Sequence, residues 1–330
     1  MSGAYPWLVA DIGGTNARFG WVDGPGQAVA HVRVLPVTAH PSPAAAAQAY
    51  LKELALVEPL AAAPRSAAFA VATAIDGDQI ELTNAHWSFS RAQTQVALGL
   101  DLLLLLNDFE ALALSLPRLS AGQLRQWPSA PATLQPPVHT LAVIGPGTGL
   151  GVAGVTPGER GWLALPGEGG HATLAAADDF EAALLGHVRR EFEHVSAERL
   201  LSGIGLPVLH GAVAHVLGGA FTPPLGTELI VERAMAGQDP VCERTIDAFC
   251  ALLGSFAGNV ALTLGARGGV FVGGGIVPRL GERFFASEFR ARFEAKGRFR
   301  PYLQAIPTAL ITDTLAALAG AAQAIEQWRV

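Results

Sequence analysis

Asn107 and Asp108 end a run of five leucines in "DLLLLLNDFEALALSLP", residues 101–117. An apolar run of that length reads as an element buried on both sides. A carboxylate is costly to bury unpaired. Such an element therefore either carries its polar end into a surface turn or aims it at a ligand. Aimed, Asp108 is suited to accept the proton of an attacking hydroxyl, given a phosphoryl donor close by. Asn107 is suited to hold a neighbouring hydroxyl. Glu168 and His171 in "LALPGEGGHATLA" and Glu198 in "EFEHVSAERLLSG" extend the polar set. Hydroxyl groups donate and accept, so carboxylates and amides are their natural partners.

Each of these residues also has a plainer reading. Glu168 and His171 fit a surface loop, and two residues do not make a zinc site. Ser196 can cap a helix that carries Glu198 in its first turn. Glu191 and His194 form an E-x-x-H pair, but the rest of a di-iron signature is missing. Asn84 and Trp87 in "LTNAHWSFS" suit a turn and a core aromatic.

Three glycine turns suggest a partner for the polar set. In "DIGGTN", Gly13 and Gly14 allow a close backbone approach, and Thr15 and Asn16 add side-chain donors. Asp11 before that turn does not itself welcome phosphate; it makes sense as a holder of Mg²⁺, directly or through water. Gly147 and Thr148 form a second turn, and Gly273, Gly274 and Gly275 a third, which precedes a helix whose N-terminus suits a nucleotide. A P-loop is excluded by the absence of G-x-x-x-x-G-K-[ST]. A dinucleotide fingerprint needs a helix after the glycines, whereas "ARFGWV" alternates like a strand. Two hairpins gripping a triphosphate, with the third turn near the nucleoside, is the reading these turns support together.

The elements that must position these residues are mixed. "WLVADIGG", "ARFGWVD", "SAAFAVAT", "QIELTN" and "LLLLLN" read as strands. "SPAAAAQAYLKELALVE" and "FEALALSLPRL" read as helices, and helices dominate from 178 to about 265. This is an α/β pattern. "LVADIGGTNARFGWV" and "LAVIGPGTGLGVAGV" share one strand–turn–strand plan, a weak internal repeat that implies two related α/β lobes. A proline-rich loop at 126–140 and "GGAFTPPLGTE" mark surface excursions. The C-terminal "LAALAGAAQAIEQW" is helical.

Composition narrows the class. The chain has 330 residues, half of them hydrophobic and 15% charged, which is ample for a packed core. The net charge of −6 and the lack of any basic stripe argue against a nucleic-acid partner. Lys52 and Lys296 are the only lysines, and neither lies in a glycine loop. Cys242 and Cys250 fall on one helix about 12 Å apart, too far for a disulfide. They read as free core thiols of a reducing compartment. No signal peptide and no apolar run of about 18 residues is seen, so no membrane association and a cytoplasmic location are expected.

The segments "ADIGGTNAR", "LTNAHWSFS", "LLNDFEALA", "GPGTGLGVA", "LPGEGGH", "HVSAERLLSG" and "GGVFVGGGIVPR" follow one another over nearly the whole chain. Together they resemble the bacterial glucokinase family of the non-ROK, enteric type. The resemblance implies the two-lobed actin-like (ribonuclease-H-like) ATPase fold, with a ligand cleft between the lobes. Residues 1–107 with a helix at about 315–330 would form the small lobe, and 108–314 the large one. It implies ATP-dependent phosphorylation of D-glucose at the 6-hydroxyl, with Mg²⁺, by a homodimer. Asp108 would be the general base. Asn107, Gly149, Glu168, His171 and Glu198 would hold glucose. The Asp11–Asn16 and Gly147–Thr148 turns would face the phosphates, and Gly273–Gly275 would lie near adenosine. A Pro-Gly expected before the final helix is missing from "TDTLAALAGAA". The ROK branch carries a cysteine-rich zinc motif that two lone cysteines do not supply. Three rivals stand beside this reading: a kinase for fructose or mannose, a sugar-sensing protein without turnover, and a structural ATPase of the same fold.

Overall fold

The computed structural model describes residues 5–57, 62–82, 86–127, 138–159, 161–218 and 224–328. Asn84, the middle of the 126–140 loop and residues 219–223 lie outside the described residues. In chain order the elements are β1 (Trp7–Ile12), β2 (Asn16–Val22), β3 (Ala30–Pro36), α1 (Pro43–Val57), β4 (Ser66–Val71), β5 (Gln79–Glu81), β6 (Ser88–Ser90), α2 (Arg91–Ala97), β7 (Leu102–Asn107) and α3 (Asp108–Ser115). There follow β8 (Leu124–Gln126), β9 (Leu141–Pro146), β10 (Leu150–Gly158), β11 (Gly161–Gly167), α4 (Asp179–Val188), α5 (Leu206–Val216), α6 (Thr227–Met235) and α7 (Pro240–Leu264). The chain ends with β12 (Gly269–Val272), α8 (Val277–Ala286), α9 (Phe289–Glu294), α10 (Arg300–Gln304), β13 (Thr308–Ile311) and α11 (Ala316–Trp328).

Two compact units result. The first comprises Met1–Leu119, Val155–Pro166 and Asp313–Val330; the second comprises Ser120–Gly154 and Gly167–Thr312.

The first unit is built on a five-stranded sheet in the order β3-β2-β1-β4-β7. β1 and β4 lie inside it, parallel to each other, and apart from half-buried Asp11 their residues are buried. That explains their unbroken apolar runs, since a strand covered on both faces has no polar side to show. β7 pairs in parallel with β4 and is the outermost strand. Only Leu103 and Leu106 of its leucines are buried. The expectation of burial on both faces is corrected here: a strand with one neighbour keeps part of its surface accessible. Immediately after it comes α3, and α11 packs against α3 so closely that a Cβ on Gly320 would lie 1.7 Å from the Ala111 carbonyl oxygen. In the segment where a Pro-Gly was expected, Asp313 Oδ1 accepts the Leu315 N–H at 2.8 Å and turns the chain into α11. Trp87 is a core aromatic, as read, with its indole N–H donated to the His40 carbonyl at 2.8 Å.

The second unit surrounds α7. Parallel strands β9, β12 and β13, with β8 antiparallel on β13, belong to a sheet ordered β11-β10-β9-β12-β13-β8. β9, β12 and β13 are wholly buried. α7 is 25 residues long and apolar enough to span a bilayer, but 83% of its apolar window is buried in the core, so it is a core helix. Its ends are specified locally. Asp239 Oδ1 accepts the Val241 and Cys242 N–H groups at 2.9 and 3.1 Å, Pro240 follows, and Gly265 closes the helix in the left-handed conformation at φ 62°. Cys242 and Cys250 are free and buried on this helix, and burial pushes their thiols up to about 11 and about 12.

The Cys242 N–H bond is the main reason the Asp239 carboxyl sits below its ordinary value. A carboxyl lowered on folding stabilises fully above its unfolded value of about 3.9, and that contribution is lost as pH falls through the lower folded value. Asp239→Ala is accordingly expected to cost about 1–2 kcal/mol at neutral pH, with a smaller loss in strong acid. Urea melts of both proteins at the two pH values check this.

Candidate active site

In the first unit, Asn107 is the N-cap of α3. Its Oδ1 accepts the Phe109 N–H at 2.9 Å, and its Nδ2 donates to the Thr73 carbonyl at 3.1 Å. The Glu110 carboxylate accepts the Asn107 backbone N–H in return. Burial pushes the Glu110 carboxyl above its usual range, against that bond. Asp108 is the first helical residue, and its Oδ1 also accepts the Phe109 N–H, at 2.9 Å. The carboxylate is thus fixed at the positive end of a helix, at the tip of a strand. With one amide hydrogen and further lone-pair capacity outside these bonds, Asn107 can still meet a ligand.

The Asp11–Asn16 segment is a tight hairpin. Gly13 N–H donates to the Asn16 carbonyl at 3.0 Å, and Thr15 and Asn16 are exposed at the tip. β1 and β2 place Asp11 opposite Arg18, and Arg18 Nη1 reaches Asp11 Oδ2 at 2.9 Å. Burial raises the Asp11 carboxyl, with Arg18 opposing that shift. No group of three or more metal-ligating side chains occurs among the described residues. A single carboxylate with one oxygen engaged by arginine does not cage an ion. It suits Mg²⁺, which is typically held by one or two carboxylates, waters and substrate phosphates.

In the second unit the structure gathers Glu168, His171 and Glu198. His171 Nε2 lies 4.0 Å from Glu168 Oε2, and His171 Nδ1 lies 3.9 Å from Glu198 Oε1. Glu168 and His171 are well exposed, whereas the Glu198 side chain keeps only 24% of its exposure. The other Glu198 oxygen, Oε2, accepts the Leu150 N–H at 2.8 Å. Gly149 makes room for it, since a Cβ there would lie 2.4 Å from the same oxygen. A carboxylate braced on one oxygen and open on the other is a rigid acceptor for a hydroxyl.

The helix expected around Glu198 is corrected. Ser196 Oγ does accept the Arg199 N–H at 3.2 Å, but residues 197–205 form turns and the helix begins only at Leu206. Backbone bonds to another turn win over helix propagation here: the Glu198 N–H donates to the Gly170 carbonyl at 2.8 Å.

Gly147–Gly149 is a hairpin turn closed by a 2.9 Å bond from the Gly147 N–H to the Gly149 carbonyl. The Gly273–Gly275 turn abuts the end of β9. Gly273 N–H donates to Ile144 O at 2.8 Å, and Gly274, at φ 80°, would put a Cβ 2.4 Å from Pro146 O. These two turns are therefore neighbours. The helix expected after Gly275 is present as α8, but Gly281 interrupts it at φ 48°, which leaves about one turn of aligned dipole behind its N-terminus.

Arg18, Thr73 and Glu110 join the site only through the fold. Arg18 had a signal, because the two arms of a tight hairpin set Asp11 and Arg18 side by side. The Thr73 carbonyl had none, being a backbone group supplied by a neighbouring strand's end.

Comparison with known proteins agrees with this architecture. The family model described as Glucokinase matches residues 8–328. A glucokinase of Aromatoleum aromaticum is 50% identical over 98% of this chain and 96% of its own length. A bifunctional protein glk of Paraburkholderia xenovorans is 45% identical over 96% of this chain, which spans 48% of that longer relative. The crystal structure of a glucokinase from an Antarctic psychrotroph superposes with a TM-score of 0.88 at 36% identity, covering 97% of this chain and 98% of its own. On the match of its sequence from end to end, and of its fold, the chain belongs to the glucokinase family.

Proposed function

We propose that the chain transfers the γ-phosphoryl group of ATP to the 6-hydroxyl of D-glucose, giving ADP and glucose 6-phosphate. Family membership makes it a hexose kinase. The observation that carries the choice of a sugar acceptor is the convergence of Glu168, His171 and Glu198, three hydroxyl-binding side chains, with Glu198 fixed by the Leu150 N–H.

In this reading Asp108 orients the 6-hydroxyl and takes its proton as the oxygen–phosphorus bond forms and the bridging bond to ADP breaks. Asn107, Glu168, His171 and Glu198 hold the remaining hydroxyls, with backbone from Gly149. The turns Asp11–Asn16 and Gly147–Thr148 face the phosphates, and Gly273–Gly275 lies near adenosine. Asp11 would hold Mg²⁺ through water, and the ion supplies charge neutralisation on the phosphates when bound. Phosphoryl transfer asks mainly for such positioning and neutralisation. The two-lobed actin-like fold of the family is read as a clamp that closes on sugar. Closure excludes water, which otherwise competes for the phosphoryl group. The enzyme is read as a cytoplasmic homodimer acting at the entry of glucose into glycolysis.

A coupled ADP-release assay with ATP·Mg across a hexose panel tests this reading. Turnover greatest on glucose supports it, and turnover greatest on fructose or mannose moves the assignment to that sugar. No turnover on any hexose favours a sugar-sensing protein. Glu168→Gln is expected to raise the glucose KM about tenfold with a smaller change in kcat, the loss of one charge-assisted hydrogen bond. An unchanged KM removes Glu168 from the sugar shell.

A further inference from the structure

The turns between Ala197 and Gly205 do more than present Glu198. The Gly203 N–H donates to the Gly147 carbonyl at 2.7 Å, and the Ile204 N–H reaches the Thr148 carbonyl at 3.3 Å. On its other side, the Gly203 carbonyl accepts the hydroxyl of Thr227, the first residue of α6. Ser202, fully buried, donates to the Glu198 carbonyl at 2.7 Å and accepts the Gly205 N–H at 3.0 Å. Gly203 is therefore pinned at both of its backbone polar groups. There is also little room beside it: a Cβ would lie 3.1 Å from the Gly147 oxygen and 3.6 Å from the Thr148 Cα.

A trans peptide unit is planar, and its C=O and N–H point in opposite directions. A donor fixed on the Gly147 carbonyl therefore fixes the direction of the Thr148 N–H. A donor on the Thr148 carbonyl does the same for the Gly149 N–H. Successive N–H groups aimed from one turn make an anion-binding concavity, and each is further polarised when its own carbonyl already accepts a bond.

We propose that Gly203 is a positioning residue for the phosphoryl-donor site, bracing the carbonyl side of the Gly147–Thr148 turn so that its amide side faces the nucleotide phosphates. This rests on the reading that the Gly147–Thr148 turn faces phosphate. Gly203 touches neither substrate; it acts through the turn. Alanine at this position must shift the Gly147 carbonyl by a few tenths of an ångström, and valine must shift it further.

The test is a graded series, Gly203→Ala and Gly203→Val, with Gly211→Ala on α5 as control, since a Cβ at Gly211 meets nothing within 4 Å. ATP and glucose KM values are measured, together with ADP·Mg binding by calorimetry. A misplacement near 1 Å costs on the order of 10²-fold. The ATP KM and the ADP·Mg dissociation constant are therefore expected to rise roughly tenfold for alanine and more for valine. Glucose KM should stay within about twofold, because a purely structural defect would not split the two substrates. Equal rises for both substrates, or unchanged nucleotide binding in folded variants, overturn the proposal. If the Gly203 variants do not fold, Thr227→Val removes the hydroxyl that pins Gly203 without adding bulk. Nucleotide binding is then expected to weaken in the same sense, and unchanged binding overturns the proposal. A parent chain that binds ADP·Mg but phosphorylates no hexose rejects the sugar-kinase reading and leaves the brace to be judged by calorimetry. A parent chain that binds no nucleotide overturns both.

Discussion

Asp108→Asn is expected to lower kcat with glucose by about 10²–10⁴ while glucose affinity changes by less than about threefold. That range is what a positioned general base contributes to proton transfer in the transition state. Asparagine keeps the size of the side chain and an oxygen that can accept the Phe109 N–H, now held at 2.9 Å, so α3 retains its start. What it loses is the capacity to take a proton. Equilibrium binding of glucose and single-turnover rates separate the two effects. A variant with near-normal kcat would remove Asp108 from the chemistry. A variant that loses glucose binding in proportion to rate would assign Asp108 to substrate holding instead.

A second large effect is expected from Glu198→Ala, a fall of about 10–10² in kcat/KM for glucose together with a loss of stability. Two distinct losses follow from that change. The sugar loses a charge-assisted partner, and the Leu150 N–H, now 2.8 Å from Glu198 Oε2, is left without its acceptor at the edge of the Gly147–Gly149 turn. The lost bond to the sugar, roughly 1.5–3 kcal/mol, sets the kinetic effect, whereas the stranded donor, roughly 1–3 kcal/mol, weakens free enzyme and complex alike and is read in melts. Each 1.36 kcal/mol is tenfold in rate. Glu198→Gln, which keeps an acceptor for Leu150, is expected to recover a large part of the loss. Gly149→Ala should reproduce part of it from the other side, because its Cβ would fall 2.4 Å from that same oxygen. Steady-state kinetics on the three variants decide the matter. An alanine variant within tenfold of wild type would mean that Glu198 only braces the turn.

Much of the architecture was legible before any coordinates. Both strand–turn–strand ribbons are present, β1 to β2 and β9 to β10, and so are the Asp108 helix and the long helices that follow residue 178. These succeed because each depends on local pattern: apolar runs for buried strands, glycine at the turns, Asn107 at a helix start. The errors have equally physical causes. The leucine run reads as covered on both faces, but β7 is the last strand of its sheet, and nothing in "LLLLL" says how many neighbours a strand will have. The segment around Glu198 carries a capping serine and helix-forming residues, yet forms turns. Its amides find better partners in the carbonyls of Gly147, Thr148 and Gly170, all distant in sequence. α8 begins where expected, but Gly281 breaks it, a placement that helical periodicity alone does not reveal.

The same division holds for the site. By itself, the sequence determined which groups exist: a carboxylate at a strand's end, three glycine turns, a glutamate and a histidine among glycines, and a second glutamate after a serine. Their order and spacing determined the family. Only the tertiary structure decided which of them meet. It set His171 within 4.0 Å of both Glu168 and Glu198, engaged one oxygen of Asp11 with Arg18, and tied the Gly147–Thr148 turn to Gly203. The reason is that chain pattern fixes local conformation, whereas these contacts join backbone amides and carboxylates from separate segments. Their partners are chosen by packing and hydrogen-bond satisfaction across the fold.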